Sequence, residues 1–79
     1  MNHMIFKNDI RAIRISTNYG GQTKLARAIG IRRDELSIIE NGHRLPTEEI
    51  LQKIKNELGC LYSDLYSLET QKIILKLGS

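Results

Sequence analysis

Residues 22–46 read QTKLARAIGIRRDELSIIENGHRLP, and the spacing of their apolar residues predicts two short helices that cross at a tight turn. The first helix is expected over 22–29 and stops at Gly30, which is free to adopt positive φ. The second is expected over 32–40 and ends at the Asn-Gly pair 41–42. Ala26 supplies the small side chain that a close crossing requires. The branched residues expected between the helices are Leu25, Ile29, Ile31, Leu36 and Ile39.

Helical spacing continues on both sides of this stretch. A helix is expected over 7–17, before a turn that contains Asn18 and a glycine pair. Another begins after Thr47, an N-cap candidate whose partner three residues on is Ile50 rather than Glu. It ends at Gly59, and a short fifth helix follows over 61–67. The predicted fold class is therefore all-α, a compact five-helix domain over residues 1–67.

Residues 68–79 form a tail whose conformation the pattern leaves open. Ile73 and Ile74 favour a strand, whereas residues 75–77 are neutral or helical. The apolar side chains of this tail would be poorly covered in a monomer of 79 residues. One interpretation is an oligomerisation element, and the alternative is a tail packed on its own domain.

Positive charge is concentrated in the first part of the chain. The net charge is +3, but residues 1–47 hold eight Lys or Arg against four Asp or Glu, a net +4. Residues 48–79 hold four basic and five acidic residues, a net −1. This asymmetry favours a polyanionic partner that faces the first part. Charge alone does not show that the partner is a nucleic acid, because proteins that bind no nucleic acid commonly carry a similar net positive charge.

Composition and motifs argue against several other classes. Hydrophobic residues make up 41% and charged residues 27%, typical of a globular domain, and no apolar run reaches the roughly 18 residues of a membrane span. Residues 1–7 lack the apolar stretch of a signal peptide, and the one cysteine, Cys60, permits no intramolecular disulfide, so a cytoplasmic location is expected. His3 and His43 are isolated, and no phosphate loop or metal-ligand spacing is present. We expect no enzyme activity, no cofactor and no metal.

Residues 22–46 resemble the helix-turn-helix of phage repressor and Cro-type transcriptional regulators. The likeness extends over the five-helix outline, from about residue 7 to residue 67. It implies a repressor-like domain that binds duplex DNA as a homodimer, on half-sites about one helical turn apart, and regulates transcription. The matching positions are Gln22, the Leu-Ala pair 25–26, Gly30, the Glu-Asn-Gly run 40–42 and Pro46.

The resemblance also implies an internal contact. Family members pair an Arg of the first helix with the Glu that ends the third, here Arg14 and Glu40. That Arg usually lies about seven residues before the Gln, whereas Arg14 lies one position farther from Gln22, which implies a one-residue insertion within 17–21. A cationic partner also suits an acid at a helix C-terminus. The predicted structural residues are Arg14, Ala26, Gly30 and Glu40.

In such proteins the third helix enters the major groove and its N-terminal residues meet base edges. Arg33 is the strongest candidate, because an Arg can bond guanine O6 and N7 together. Ile38 should turn outward and touch a thymine methyl, or else occupy a marginal core position. The predicted base contacts are Arg32, Arg33, Asp34, Ser37 and Ile38.

Gln22 should lie at the start of the second helix, where its amide and the backbone N–H groups can meet a phosphate. The alternative is a plain polar residue at a helix start, and Lys24 and Arg27 fit a solvated face equally well. The predicted phosphate contacts are Gln22, Thr23, Asn41, His43 and Arg44.

Acidic residues within the predicted reading helix indicate sequence-specific binding. Asp34 and Glu35 would be repelled by phosphates on arbitrary DNA. The rival interpretation is an adaptor or antitoxin that keeps the fold without reading bases. The sequence does not separate a phage-type repressor, a restriction-modification controller and a toxin-linked autoregulator. The expected partners are double-stranded DNA, a second copy and, in some circuits, another regulatory protein, with no membrane and no small-molecule effector.

Overall fold

The computed structural model describes residues 5–78, with side chains to residue 77, and over that range it is all-α. The two short helices of the central stretch and the long fourth helix are confirmed. The helices within the described range are α1 Ile10–Ser16, α2 Gln22–Ile29, α3 Arg33–Glu40, α4 Glu48–Leu58, α5 Tyr62–Leu65 and α6 Leu68–Gly78.

Local signals explain where the central helices begin and end. Gly30 follows α2 with φ 78°, the left-handed conformation that an L side chain rarely adopts. Thr47 caps α4, because its hydroxyl accepts a hydrogen bond from the backbone N–H of Ile50 at 3.2 Å. Arg32 is the N-cap residue of α3 rather than its first helical residue.

The prediction that the first helix begins at residue 7 is wrong. Residues 5–9 are not helical, and α1 starts at Ile10. The cause is competing hydrogen bonds: Phe6 N donates to Gly42 O at 2.8 Å, and Asp9 N donates to Leu65 O at 3.1 Å. The apolar spacing of Phe6 with Ile10 therefore reflects packing, not a shared helix. The fifth helix is also shorter than predicted.

The tail is helical, which answers the question its sequence left open. Ser67 Oγ accepts from the backbone N–H of Thr70 at 3.3 Å at the start of α6. Ile74 is buried in the core, and α6 packs against α4. Other apolar side chains of α6 remain exposed, so the tail both packs on its own domain and leaves apolar surface uncovered.

The core is a single cluster in which α4 is central. It packs against α2, α5 and α6, while α2 also packs against α3. Ala26 is 2% exposed, and such a small side chain allows a close approach of the helices. The buried hydrophobic residues are Ile10, Leu25, Ala26, Ile29, Leu36, Ile39, Leu51, Ile54, Leu58, Leu65, Tyr66 and Ile74.

Candidate nucleic-acid interface

The turn between α2 and α3 is closed by backbone hydrogen bonds. Gly30 N donates to Arg27 O at 3.3 Å, and Ile31 N donates to Ala26 O at 3.0 Å. Ile31 is half-buried against the core, so the turn is held from inside. The chain therefore leaves α2, reverses within three residues and begins α3 at Arg33.

A buried ion pair holds the C-terminal end of α3. Arg14 Nε lies 2.7 Å from Glu40 Oε2, Arg14 Nη2 lies 3.0 Å from Glu40 Oε1, and the two side chains are 5% and 1% exposed. Two parallel bonds of this kind give a strong and directional contact. The structure thus brings together the Arg and Glu that the resemblance pairs. Arg14 Nη1 also donates to Gly20 O at 2.5 Å, within the loop where the extra residue is expected.

Gln22 is the third member of this network. Its Nε2 donates to Glu40 Oε1 at 3.0 Å and so links the start of α2 to the end of α3. The amide of Gln22 has two N–H donors, and this bond uses one of them. Gln22 is half-buried, and Thr23 beside it is exposed.

The N-terminal end of α3 is open to solvent. Arg33 and Asp34 are exposed, and no hydrogen bond or ion pair joins their side chains to any other side chain in residues 5–77. Arg32, whose side chain is 82% exposed, approaches Glu35 with Nε 3.3 Å from Oε1. An exposed pair of this kind contributes little to stability and leaves Arg32 able to move.

The two remaining predicted base contacts lie farther along α3 and are half-buried. Ser37 Oγ accepts from Asn41 Nδ2 at a long 3.5 Å. Ile38 belongs neither to the core cluster nor to the partly buried side chains packed against it. This position fits the outward-facing interpretation of Ile38 better than the core alternative.

The three other predicted phosphate contacts follow α3. Asn41, His43 and Arg44 are exposed. They lie on the link between α3 and α4, residues 41–47, whose apolar residues are at least partly buried. Gly42 is buried, Leu45 packs against the core and Pro46 is buried. The link therefore presents polar side chains from an anchored backbone.

A family model for helix-turn-helix domains of the Cro and C1 type matches residues 10–65. The chain belongs to this family. The match spans α1 to α5, and proteins of the family are DNA-binding transcription regulators. A search among curated proteins finds no significant match.

Asn8 contacts the end of the helix-turn-helix, and reasoning from the sequence missed it. Its Nδ2 donates to the backbone carbonyls of Ile39 at 3.0 Å and Glu40 at 3.4 Å. Its Oδ1 accepts from Ile10 N at 3.0 Å. Of these bonds, only the one from Ile10 N joins residues close in sequence and could have been predicted, because an Asn two residues before the start of a helix is a common capping choice.

A second missed contact ties the loop before the helix-turn-helix to α4. The Tyr19 hydroxyl donates a hydrogen bond to Glu57, and this bond raises the pKa of Tyr19. Lys24 Nζ lies 5.7 Å from the centre of the Tyr19 ring and donates to Asn18 O at 3.4 Å. Lys24 is thus engaged with the loop, whereas Arg27 is exposed on the same helix.

Other kinds of site find no support among the described residues. Over residues 5–78 no three His, Cys, Asp or Glu side chains are placed to hold a metal ion, and no helix there is long and apolar enough to cross a membrane. Cys60 is half-buried, and burial raises the pKa of its thiol, with Asp64 adding to the effect. A thiol with a raised pKa is a poor nucleophile at neutral pH.

Proposed function

We propose that this protein is a sequence-specific regulator of transcription, of the phage-repressor or restriction-modification controller kind, that binds a twofold DNA site as a homodimer. The observation that carries the proposal is the contrast within α3. Its C-terminal end is held by the network of Arg14, Glu40 and Gln22, while Arg33 and Asp34 at its other end are exposed. A rigid helix with free polar side chains at one end is what reading base edges requires. Such a regulator would act in the cytoplasm.

In the proposed complex α3 lies in the major groove. Arg33 donates to O6 and N7 of a guanine, and Asp34 accepts from N4 of a cytosine. Ile38 lies against a thymine methyl group. Arg32 and Ser37 complete the set of base contacts, since both can turn toward a base without breaking a buried interaction.

The phosphates on each side of the groove are met by the two ends of the motif. At the start of α2, Gly21 has no side chain to cap the helix, so the first backbone N–H groups of α2 are available to an anion. In the proposed complex the second N–H of the Gln22 amide and the Thr23 hydroxyl contact the same phosphate. Beyond α3, the proposed contacts come from Asn41, His43 and Arg44.

The homodimer is proposed to form through α6, the element that extends beyond the family match. Leu75 lies on a cleft lined by Leu51, Tyr62 and Ile74, and Leu77 lies on a second cleft, beside Thr47 and Gln52. A second copy would cover this apolar surface, and a stable dimer buries about 800 Å² on each partner. The exposed apolar side chains of α6 are Leu68 at 66%, Ile73 at 42%, Leu75 at 51% and Leu77 at 73%.

Sedimentation equilibrium tests the dimer. Leu75→Asp should shift the protein toward monomer, because it places a charge in the proposed contact, while Leu61→Asp is the matched control at a residue 63% exposed and outside α6. If Leu75→Asp and the unmodified protein have the same dimer dissociation constant, the α6 interface is wrong.

Selection of bound sequences from a random duplex library tests the function itself. We expect a site with twofold symmetry, whose half-sites lie about one helical turn apart. Binding to the recovered site should weaken steeply as salt concentration rises. If no sequence is enriched and duplex binding is absent at low salt, the adaptor or antitoxin interpretation replaces this one.

A further inference from the structure

Residues 5–9, here called the N-terminal segment, bind to two distant parts of the fold. At one end, Phe6 N donates to Gly42 O at 2.8 Å, on the link that follows α3. At the other, Asp9 N donates to Leu65 O at 3.1 Å, at the end of α5. The segment therefore connects the link after α3 to the end of α5. The family match begins only after it, at residue 10.

Asn8, in the middle of this segment, completes the C-terminal cap of α3. The last four carbonyl groups of a helix have no partner within the helix. In α3 the first three of them accept from backbone N–H groups: Ser37 O from Asn41, Ile38 O from His43 and Ile39 O from Gly42. Asn8 Nδ2 donates to the remaining one, Glu40 O, at 3.4 Å and adds a second bond to Ile39 O at 3.0 Å. A side chain from before α1 thus donates to terminal carbonyl groups of α3 that are usually hydrogen-bonded by water or by the residues just after the helix.

The backbone of the link also fits closely against the N-terminal segment. Gly42 has φ 82°, and a Cβ atom at that position would lie 2.7 Å from Ile5 Cγ2 and 2.9 Å from Phe6 O. Because one of these neighbours is backbone, it could not turn aside as a flexible side chain does. Gly42 is therefore required both by its conformation and by this contact. His43 and Arg44 directly follow Gly42, whose backbone is held by this contact.

We propose that the N-terminal segment positions the DNA-binding link, and that Asn8 is a positioning residue for phosphate contact by His43 and Arg44. The inference rests on the proposed function and adds a part to it. His43 and Arg44 are exposed and belong to no regular element, so only the anchoring of the link can fix where they meet the backbone of DNA. Leu45 and Pro46 hold the far end of the link in the core, and the hydrogen bonds from Asn8 and Phe6 hold the end that joins α3.

The two roles of Asn8 can be separated by substitution. Asn8→Ser keeps an oxygen that can accept from Ile10 N and so start α1, but its hydroxyl is too short to reach α3. Asn8→Asp also keeps the acceptor, removes the donor and adds a negative charge beside the carbonyl end of α3. Asn56→Ser is the matched control, since Asn56 is exposed on α4.

The measurement is binding of each full-length variant to the selected DNA site across a range of salt concentrations, at a temperature where circular dichroism shows it folded. Asn8→Ser should weaken binding by about tenfold or more, and the slope of log affinity against log salt should become shallower by about two to four, because two phosphate contacts are lost from each protomer. Asn8→Asp should show at least the same loss. Asn56→Ser should match the unmodified protein. A merely structural role for Asn8 would lower stability without changing the salt slope of the folded protein.

Two further outcomes keep the inference distinct from the proposed function. If the unmodified protein binds its site and folded Asn8→Ser binds with the same affinity and slope, this inference fails and the proposed function stands. If the unmodified protein selects no site, the proposed function fails first. Should Asn8→Ser be unfolded, Asn8→Asp tests the role of Asn8 in its place, and the double variant His43→Ala with Arg44→Ala tests phosphate contact by the link. It alters two exposed side chains, and an unchanged salt slope would overturn the role given to the link.

Discussion

The two ends of α3 are built in opposite ways. At its C-terminal end, Glu40 is buried and accepts hydrogen bonds from Arg14 and Gln22, while Asn8 holds the carbonyl groups. At its N-terminal end, Arg33 has no partner among residues 5–77 and lies in solvent. One eight-residue helix thus has a buried, hydrogen-bonded end and an exposed end, and under the proposed function the exposed end reads the bases. Substitutions at the anchored end should therefore affect folding, and those at the open end should affect DNA binding.

The largest expected effect comes from breaking the buried pair. Arg14→Ala leaves the Glu40 carboxylate buried without its main partner, and we expect the free energy of unfolding to fall by about 3–5 kcal/mol. Urea denaturation measures the change. In the double variant Arg14→Met with Glu40→Leu no unpaired charge remains, so much of the loss should be recovered. A loss below about 1 kcal/mol for Arg14→Ala would show that the pair does not anchor α3.

The next effect concerns the crossing of α2 and α3, which fixes how α3 lies against the rest of the domain. Ala26 is 2% exposed, and Ala26→Leu would overfill the space and cost about 1–3 kcal/mol of unfolding free energy. Ala28 is exposed on the same helix, so Ala28→Leu should change stability by no more than about 0.5 kcal/mol. Equal effects of the two substitutions in urea denaturation would contradict the close crossing.

At the open end, Arg33→Ala should leave the unfolding free energy within about 0.5 kcal/mol of the unmodified protein. Its effect should appear in DNA binding, where discrimination at one base pair of each half-site should fall by about 1–3 kcal/mol. Arg27→Ala removes another exposed cation, from α2, and should not change base preference. Competition binding with singly altered sites measures both. If Arg33→Ala retains full discrimination, another residue reads that base pair.

The ends of the central helices could be predicted from local sequence. The contacts that sequence reasoning missed share one physical reason, since their partners lie far apart along the chain. Gly30 and Thr47 mark helix ends because each acts on its own backbone within three residues. Asn8 reaches Ile39 across 31 positions, and nothing in the residues around either one indicates the other. The pairing of Arg14 with Glu40 came from resemblance, since spacing alone does not select one acid among several.

The tail shows the opposite case, in which a local preference is present in the sequence but is overruled by packing. Two adjacent β-branched residues favour a strand, yet burial of Ile74 against the core stabilises a helix. Propensity differences are below about 1 kcal/mol per residue, whereas full burial of an Ile contributes about 1.5–3 kcal/mol. Packing therefore decides the conformation of α6. The helical conformation leaves Leu68, Ile73, Leu75 and Leu77 exposed.

The smallest expected effect concerns the hydroxyl of Tyr66, a buried polar group without the hydrogen-bond partners that Glu40 has. Tyr66 is 2% exposed, and its hydroxyl has no hydrogen-bond partner among the described residues. Tyr66→Phe should therefore raise the unfolding free energy by up to about 1 kcal/mol, whereas Tyr62→Phe, at a half-buried tyrosine, should be neutral.

The pH dependence of the Tyr66→Phe variant adds a second test. Burial raises the pKa of Tyr66 above its usual 10.0, so the unfolded chain loses this proton at a lower pH than the native protein does. Stability that is complete below pH 10 is then lost as pH rises further, and Tyr66→Phe should lose less. Denaturation at pH 8 and at pH 10.5 measures the difference. An advantage of the variant that does not grow with pH would mean that the Tyr66 hydroxyl reaches solvent in the native protein.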